Sequence, residues 1–529
     1  MEMDTSNFQT SRKPNFGRIL LVAVLIGALG YFGYHSFVGT ASGGSATSDQ
    51  TASGEVADQN GEKKLAYDKE AVNVGICTWP GYGTAVEYNH GLVANDESRF
   101  TRDHGIRVNL NVMDEFDVTR KSLVNGEIDM VWATVDAFSS EAQDLSVDPD
   151  YIKVVFPTDC SDGGDVFVVV EGINSVQDLR GKRIAYAALS PSHSLLINLL
   201  EAGNMTMADV SPVETNSPLA ATAAFTANQV DAAVVWAPDD KTCLEQVRGS
   251  KVLSSTKVSS NLIYNVFLAK RDYLASHHDE VVKLFEGWMI ANAELKSDPE
   301  ARNRVAQALV DNMGWSSQKD ALAAMDNVKF LTIGDVANLT GLNPSYKGAT
   351  ASEIYTRFGA LYKQAGKIDG LPPSWNSVFD KSIAADVVAR LGNSDPGEGR
   401  KEFSPVNKEV ESRPAIAVKP VTINFATGSF KLDNAAMNTI DREFGFAIKT
   451  NRDARIRVVG NTDNVGDSNK NKELSFKRAK AVRDYLVERY DSDPDRFIII
   501  GNGPQAAIEA GVLGESREFR RTDFELVKD

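Results

Sequence analysis

The sequence predicts an α/β protein with a large two-lobed domain, a small α+β domain at the carboxyl end, and one N-terminal transmembrane helix. Three observations predict this architecture. Strand-like runs alternate with helical segments over residues 69–392, a pattern typical of α/β domains with mainly parallel sheets. A shorter series of strands and helices fills residues 421–529. A mainly apolar stretch of 20 residues, 19–38, precedes both and is long enough to cross a bilayer.

Composition limits the classes of function. A chain of 529 residues predicts two to four domains, and its 42% hydrophobic content is enough for packed cores. The net charge of −16 argues against a nucleic-acid partner, because phosphate binding needs a basic face. The three cysteines, Cys77, Cys160 and Cys243, form neither a disulfide framework nor a CxxC metal motif, although one pair could be oxidised. We therefore expect no metal and no cofactor.

The charges around residues 19–38 predict the orientation of the chain. Three basic residues lie before the stretch, whereas the next Lys or Arg after it is Lys63. This asymmetry places residues 1–18 in the cytoplasm and the rest outside, so we expect a single-pass protein of the inner (cytoplasmic) membrane with its bulk in the periplasm. A cleaved signal peptide is the alternative. The length and the interfacial aromatic residues favour a retained anchor.

Two segments read as linkers between the folded parts. Residues 39–68 are rich in small, polar and acidic residues, and residues 393–420 are rich in Pro and mixed charge. The domain between them contains an internal echo, VNGEIDMVWA at 124–133 and ANQVDAAVVWA at 227–237. The echo predicts two similar lobes, which place Trp132 and Trp236 at the carboxyl ends of strands, where open α/β sheets bind ligands.

Three further stretches carry candidate binding groups. The glycines of ICTWPGYG allow a turn that projects Trp79 and Tyr82, although a core role for Trp79 stays open. In AALSPSHSLL, Ser190 and Pro191 predict a helix start that could hold an anion, or that is simply capped. The loop PTDCSDGGD, at 157–165, could hold an ammonium or guanidinium group or act as a hinge. No GxSxG, HExxH or P-loop pattern is present, so we expect no enzyme.

Five ordered segments of the large domain, VNVGICTWPGY, NGEID, DCSDGGD, LRGKRIAYAALSPSHSLL and QVDAAVVWAPDD, resemble the periplasmic solute-binding proteins of the nitrate, sulfonate and taurine transporter class. The resemblance implies a two-lobed periplasmic-binding-protein fold of type II, with lobe one near 69–158 and 262–392 and lobe two near 159–261. It implies a small-molecule solute, such as a sulfonate, nitrate or similar anion, and a membrane permease or sensor partner. Cys160 stands where an aromatic residue is common, so the solute stays open. The matching ligand positions are Trp79, Tyr82, Thr134, Asp136, Ser190, Ser192, His193 and Trp236.

The carboxy-terminal segment contains a charge where a core residue is expected. A helix predicted at about Ser468 to Tyr490 has an apolar face, and Arg478 lies on that face. The segments INFATGSFKL, VVGNTDNVG, NKELSFKRAKAV, IIGNGP and REFRR resemble the OmpA-like peptidoglycan-binding domain over its full length.

The resemblance implies that Asp463 and Arg478 hold the free end of diaminopimelate in the wall stem peptide, with Asn471 and Arg520 also at the site. An acid and a planar guanidinium suit the ammonium and carboxylate of that group. A direct Asp463–Arg478 ion pair is the alternative. Asn461 replaces a commoner His, and Phe519 replaces an Asn. The Phe519 departure puts the contribution of the last loop in doubt.

These expectations combine into one hypothesis about function. The chain is expected to be a membrane-anchored extracytoplasmic solute-binding protein that also binds peptidoglycan, and that serves transport or sensing. The alternative is a structural tether between membrane and wall, with a degenerate solute cleft.

Overall fold

The computed structural model describes residues 56–57, 63–64, 68–145, 148, 151–392, 401–426 and 428–528. The expected transmembrane stretch, 19–38, lies outside these residues. Within the part of the chain that is described, no helix has both the length and the apolar character needed to cross a membrane.

Fifteen strands of three or more residues lie in the described part of the chain. They are β1 (Ala71–Ile76), β2 (Arg107–Val112), β3 (Met130–Thr134), β4 (Ile152–Ser161), β5 (Asp165–Val169), β6 (Arg183–Ala187), β7 (Ser211–Thr215), β8 (Ala232–Trp236), β9 (Lys251–Ser255), β10 (Tyr264–Lys270), β11 (Val328–Phe330), β12 (Ala415–Val421), β13 (Arg455–Asn461), β14 (Phe497–Gly503) and β15 (Thr522–Val527). A two-residue pair, Val56–Ala57 with Lys63–Lys64, precedes them.

The α-helices of the same residues follow in chain order. They are α1 (Gly83–Tyr88), α2 (Arg99–His104), α3 (Phe116–Asn125), α4 (Val135–Glu141), α5 (Pro191–Ala202), α6 (Pro218–Thr226), α7 (Asp239–Gln246), α8 (Arg271–Ser276), α9 (His278–Ser297), α10 (Ala301–Met313), α11 (Gln318–Met325), α12 (Ile333–Leu339), α13 (Ala351–Gln364), α14 (Trp375–Val378), α15 (Lys381–Leu391), α16 (Lys408–Ser412), α17 (Asn434–Thr450), α18 (Ser468–Tyr490) and α19 (Gln505–Glu509).

Two sheets build the large domain. The first has the order β11-β4-β10-β3-β1-β2 and the second the order β9-β5-β8-β6-β7. The chain crosses between them twice, at residues 162–164 and 256–263. The two sheets therefore form two lobes joined by two crossovers, the arrangement expected of a periplasmic-binding-protein fold.

The expectation of mainly parallel sheets is wrong. In the first sheet β1 pairs in parallel with β2 and β3, but β10 pairs antiparallel with β3 and β4, and β4 with β11. In the second sheet β5 runs antiparallel to both β8 and β9. The reason is the double crossover, because strands that leave one lobe and return to it run against the helix-connected strands.

The central strands of both sheets are buried on both faces, whereas the edge strand β7 is largely exposed. The strand AVNVGI at β1 and the strand MVWAT at β3 are buried along nearly their whole lengths, which explains why they read as continuous apolar runs. Trp288, on α9, is fully buried against Phe267 of β10, with ring centroids 5.2 Å apart. This packing holds the strand ends that border the cleft.

The carboxy-terminal domain is a four-stranded sheet of order β12-β15-β13-β14 with α17 and α18 packed on it. The predicted bounds of the helix over Ser468–Tyr490 are confirmed. Strand β12 begins at Ala415, inside the segment expected to be a linker. A Cβ added at Gly501 would lie 2.6 Å from Phe476 Cβ and 2.7 Å from Lys472 O, so glycine lets α18 lie close on the sheet.

This domain is docked on the large domain. The Asn198 side-chain amide donates to Ser259 Oγ at 3.1 Å, and Ser259 Oγ donates to Asn451 Oδ1 at 2.8 Å. All three side chains are buried. Lys449 pairs with Glu353 of α13 at 2.6 Å. The carboxy-terminal domain thus contacts both α5, which packs on the second sheet, and α13.

Candidate functional site

A cavity of about 540 Å³ lies between the two lobes. Strands β1, β3 and β8 end at it, and β5 begins beside the end of β8 because the two strands are antiparallel. The strand ends therefore meet at one place, as the rule for open α/β sheets predicts. The residues lining the cavity are Cys77, Thr78, Trp79, Asp114, Glu115, Phe116, Trp132, Thr134, Ser161, Asp165, Pro191, Asn216, Ser217, Pro218, Leu219, Trp236, Asp239, Ile263 and Asn265.

Aromatic rings from both lobes border this cavity. The Phe116 ring lies 5.0 Å from that of Trp132 and 6.4 Å from that of Trp236. The Trp132 indole donates to Met113 O at 2.8 Å, and the Trp79 indole donates to Asp159 Oδ1 at 2.7 Å. These hydrogen bonds fix two of the rings. The Trp236 indole N–H makes no hydrogen bond of good geometry in the described structure, although it lies near enough to Asp165 to lower the pKa of that carboxyl.

Three buried carboxyl groups lie in or behind the cavity wall. Burial raises the pKa of Asp165 to about 7, with Asp136 adding to the effect. Burial likewise raises the pKa of Asp136 and of Asp159 to about 6. Asp159 accepts hydrogen bonds from Trp79, Asn265 and Thr158. By contrast, Asp165 Oδ1 and both Asp136 oxygens have no partner among the described residues.

The predicted solute residues divide into two groups. Trp79, Thr134 and Trp236 line the cavity. Tyr82 does not: it is fully buried in the lobe core, against Phe267 and Trp288. Asp136 lies fully buried outside the lining set.

The predicted anion site at the start of α5 is used differently. Ser190 Oγ accepts from Ser192 N at 3.2 Å and donates to Ala187 O at 2.9 Å, so it acts as a cap. Only Pro191 of this helix lines the cleft. His193 is buried between Tyr186 and Tyr362, with ring centroids 4.6 and 5.1 Å away, and burial lowers its pKa to about 4. It lines a separate cavity of about 440 Å³.

Sequence reasoning did not assign several of the lining residues. Phe116 follows β2, and Asp239 follows the second echo strand, so the rule that ligands bind at strand ends could have found both. Asp165 closes the motif DCSDGGD, which was considered for a cationic group or a hinge, and it stands at the first crossover. The three cysteines are buried and unpaired, and Cys77 lines the cavity.

A second site lies on the carboxy-terminal domain. Asp463, in the turn after β13, pairs with Arg520 at 3.0 Å rather than with Arg478. Arg478 lies over the Phe425 ring at 4.8 Å and donates Nε–H to Ser429 O at 3.0 Å. Asn471 donates to Val465 O at 2.8 Å and so fastens the turn.

Arg478 is half buried, and within the described residues no carboxylate lies in ion-pair distance of it. Burial and the neighbouring Arg520 lower the pKa of Arg478, while Asp463 raises it. A buried guanidinium without an anion is costly. Arg478 is therefore a half-buried guanidinium that has no carboxylate partner among the described residues. Phe519 is buried, and the Arg521 guanidinium lies 5.2 Å from its ring.

Comparisons with known proteins match both parts of the chain. Residues 80–310 match the NMT1-like family and residues 424–521 match the OmpA family. The chain is 27% identical over 224 residues to the taurine-binding periplasmic protein of Escherichia coli (strain K12), covering 42% of this chain and 65% of that protein. It is 30% identical over 128 residues to outer membrane protein A of Bordetella avium, covering 23% of this chain and 65% of that protein.

Among solved structures, the periplasmic aliphatic sulphonate binding protein SsuA of Escherichia coli aligns with a TM-score of 0.46 and 18% identity, over 60% of this chain and 100% of that one. The relatives matched by the large domain are named as binding proteins, which agrees with the expectation that the chain is not an enzyme. Its two sequence resemblances are confirmed as well. The chain thus contains a two-lobed α/β domain that matches the NMT1-like family and a carboxy-terminal domain that matches the OmpA family.

Proposed function

We propose that this protein binds a small solute between its two lobes while its carboxy-terminal domain binds peptidoglycan. The observation that carries the wall-binding half is Arg478, a half-buried guanidinium with a free face next to Asp463. The cavity between the lobes supports the solute-binding half, because buried polar atoms from both lobes end there without partners.

The chemistry at the wall site follows from the two charges. The free end of diaminopimelate carries an ammonium and a carboxylate. Arg478 offers its two terminal nitrogens to the carboxylate, since its Nε–H already bonds Ser429 O. The Asp463 carboxylate accepts hydrogen bonds from the ammonium as well as from Arg520, while Asn471 holds the turn in place.

The membrane attachment belongs to the same proposal. Residues 19–38 anchor the chain in the inner membrane, and the bulk of the chain lies in the periplasm with the wall domain held at the peptidoglycan. Such a receptor cannot diffuse freely, which favours sensing, or presentation of solute to a membrane permease or sensor.

The relatives and the cavity lining point to different charges for the solute. An anion is supported by the printed names of the taurine- and sulphonate-binding relatives. The described cavity lining does not support it, because it contains acidic side chains and no Lys, Arg or His.

Two measurements on the purified full chain test the proposal. Native mass spectrometry from detergent should find a small molecule bound to the protein, and the chain should co-sediment with purified peptidoglycan. An Arg478→Ala variant should lose sedimentation and keep the small molecule. A chain that sediments but holds no solute, under any condition of a broad ligand panel, would favour the structural tether instead.

A further inference from the structure

We infer that the solute carries an N–H-bearing cationic group, an alkyl ammonium or a guanidinium, that is bound by Asp165 among the aromatic rings of the cleft. This inference rests on the proposed solute-binding function and names the chemical class of its ligand.

The charge of the cavity wall is the starting point. Four carboxylate residues line it, Asp114, Glu115, Asp165 and Asp239, and its described lining includes no basic side chain. Asp114 is already engaged, because it accepts from the backbone N–H and the hydroxyl of Thr78 at 2.6 and 2.9 Å. Acidic walls around a cleft attract cations and repel free anions.

Asp165 adds an observation independent of this charge count. The residue is only 4% exposed, yet it lines the cavity, and no group among the described residues donates to its Oδ1 in good hydrogen-bond geometry. The Trp236 indole N–H lies near enough to lower the pKa of this carboxyl but does not complete that bond. Oδ2 accepts from Ser161 Oγ at 2.7 Å. A buried acceptor left unsatisfied is destabilising, and a ligand N–H at Oδ1 removes that cost.

The position of Asp165 brings it next to an aromatic wall. It is the cross-strand partner of Trp236, at the point where β8 ends. Phe116 and Trp132 of lobe one line the same cavity, and the Phe116 ring lies edge-on to that of Trp236 with centroids 6.4 Å apart. Aromatic faces attract ammonium and guanidinium groups, and more strongly when the cation is desolvated. A sulfonate group, which is an anion, is not attracted by the negative face of an aromatic ring.

Arg120, a basic residue close to the aromatic wall, is not free to bind an anion. The Arg120 guanidinium lies 5.5 Å from the Trp132 ring but is held by both oxygens of Glu141, at 2.9 and 2.8 Å, and by Trp132 O at 2.7 Å. Its charge is therefore compensated within lobe one. An anionic ligand finds no free side-chain cation in the described wall.

The amino terminus of helix α6 could accommodate an acidic group at another position of the same solute. Helix α6 begins at the cavity, where Ser217 caps it by accepting from Ala220 N at 3.2 Å. The positive end of the helix dipole lies there. A zwitterion that carries an ammonium group therefore fits the cavity as well, with its cationic end at Asp165.

The test uses size-matched probes on the full chain. Thermal shift and calorimetry compare n-butylamine, agmatine and taurine with butanesulfonate and ethanesulfonate, which lack nitrogen. We expect at least one nitrogen-bearing probe to bind and both plain sulfonates to fail. Asp165→Asn keeps the bond to Ser161 and should weaken the bound amine about 10- to 100-fold, the range of a charge-assisted hydrogen bond.

Two further variants separate binding from folding. Trp236→Leu should also weaken the amine, whereas Asp96→Asn, which removes an exposed carboxylate outside the described cavity lining, should leave the affinity unchanged. Binding of ethanesulfonate or butanesulfonate that survives Asp165→Asn would overturn the inference and leave the proposed function intact. If neither class of probe binds at any concentration tested, and no small molecule is found on the purified chain, both are refuted.

Discussion

Replacing Arg478 with methionine should abolish peptidoglycan binding without unfolding the protein. The terminal nitrogens of Arg478 make no hydrogen bond to the described protein, so they are available to a ligand carboxylate. Two charge-assisted hydrogen bonds at about 1.5–3 kcal/mol each, discounted because paired bonds are not additive, correspond to a loss of roughly 3 kcal/mol. That is about a 150-fold weaker affinity.

The change in the free energy of unfolding should be small, because the substitution has two opposing effects. Methionine keeps the apolar contact with Phe425 and removes a desolvated charge. Because Arg478 has no carboxylate partner among the described residues, its removal leaves no buried carboxylate unpaired. Only the bond to Ser429 O is lost, worth about 1 kcal/mol. The melting temperature should therefore shift by no more than about 8 °C in either direction.

The assay is co-sedimentation of the full chain with purified peptidoglycan at several wall concentrations, with calorimetric melting alongside. Arg483→Met is the matched control, because Arg483 lies on the same helix and pairs with Asp484 at 2.7 Å. Arg478→Lys keeps the charge but not the planar fork, so it should recover only part of the binding. Unchanged sedimentation of Arg478→Met, or a loss of melting temperature above about 10 °C, would refute the reasoning.

Four further predictions follow from the same structure. The pKa of Asp165 is raised to about 7 in the folded chain by burial, so the folded state binds more protons than the unfolded one, and the ligand-free chain should lose stability as pH rises from about 4 to about 7; calorimetry in which Asp165→Asn shows the same pH slope would contradict this. Amine binding should tighten as pH rises through the pKa of Asp165, by up to about 90-fold between pH 5 and pH 8 if one proton is released, as measured by titration calorimetry. Gly501→Ala should cost about 1–3 kcal/mol because the added Cβ meets Phe476 and the Lys472 carbonyl, and a wild-type melting curve would disprove that close contact. Asn451→Ala should expose residues 401–420 to limited proteolysis, because it strips a partner from buried Ser259; an unchanged digestion pattern would show that this bond does not hold the docked domain.

The sequence by itself determined those features that depend on neighbours in the chain. Apolar periodicity gave the bounds of α18, Ser468–Tyr490, because a helix is stabilised by residues three and four apart. The echo around Trp132 and Trp236 predicted two lobes with both indoles near one cleft, because strand ends of open α/β sheets converge. The two family resemblances rested on ordered motifs and needed no coordinates.

The tertiary structure decided what depends on residues far apart in the chain. Tyr82 and His193 have polar groups typical of a binding site, but strands and helices from distant segments enclose them. The pairing of Asp463 with Arg520, 57 residues away, leaves Arg478 without an anion, which no local pattern shows. The charge of the cleft is likewise a sum over both lobes and their crossovers, because Asp114, Asp165 and Asp239 meet only when the lobes face each other.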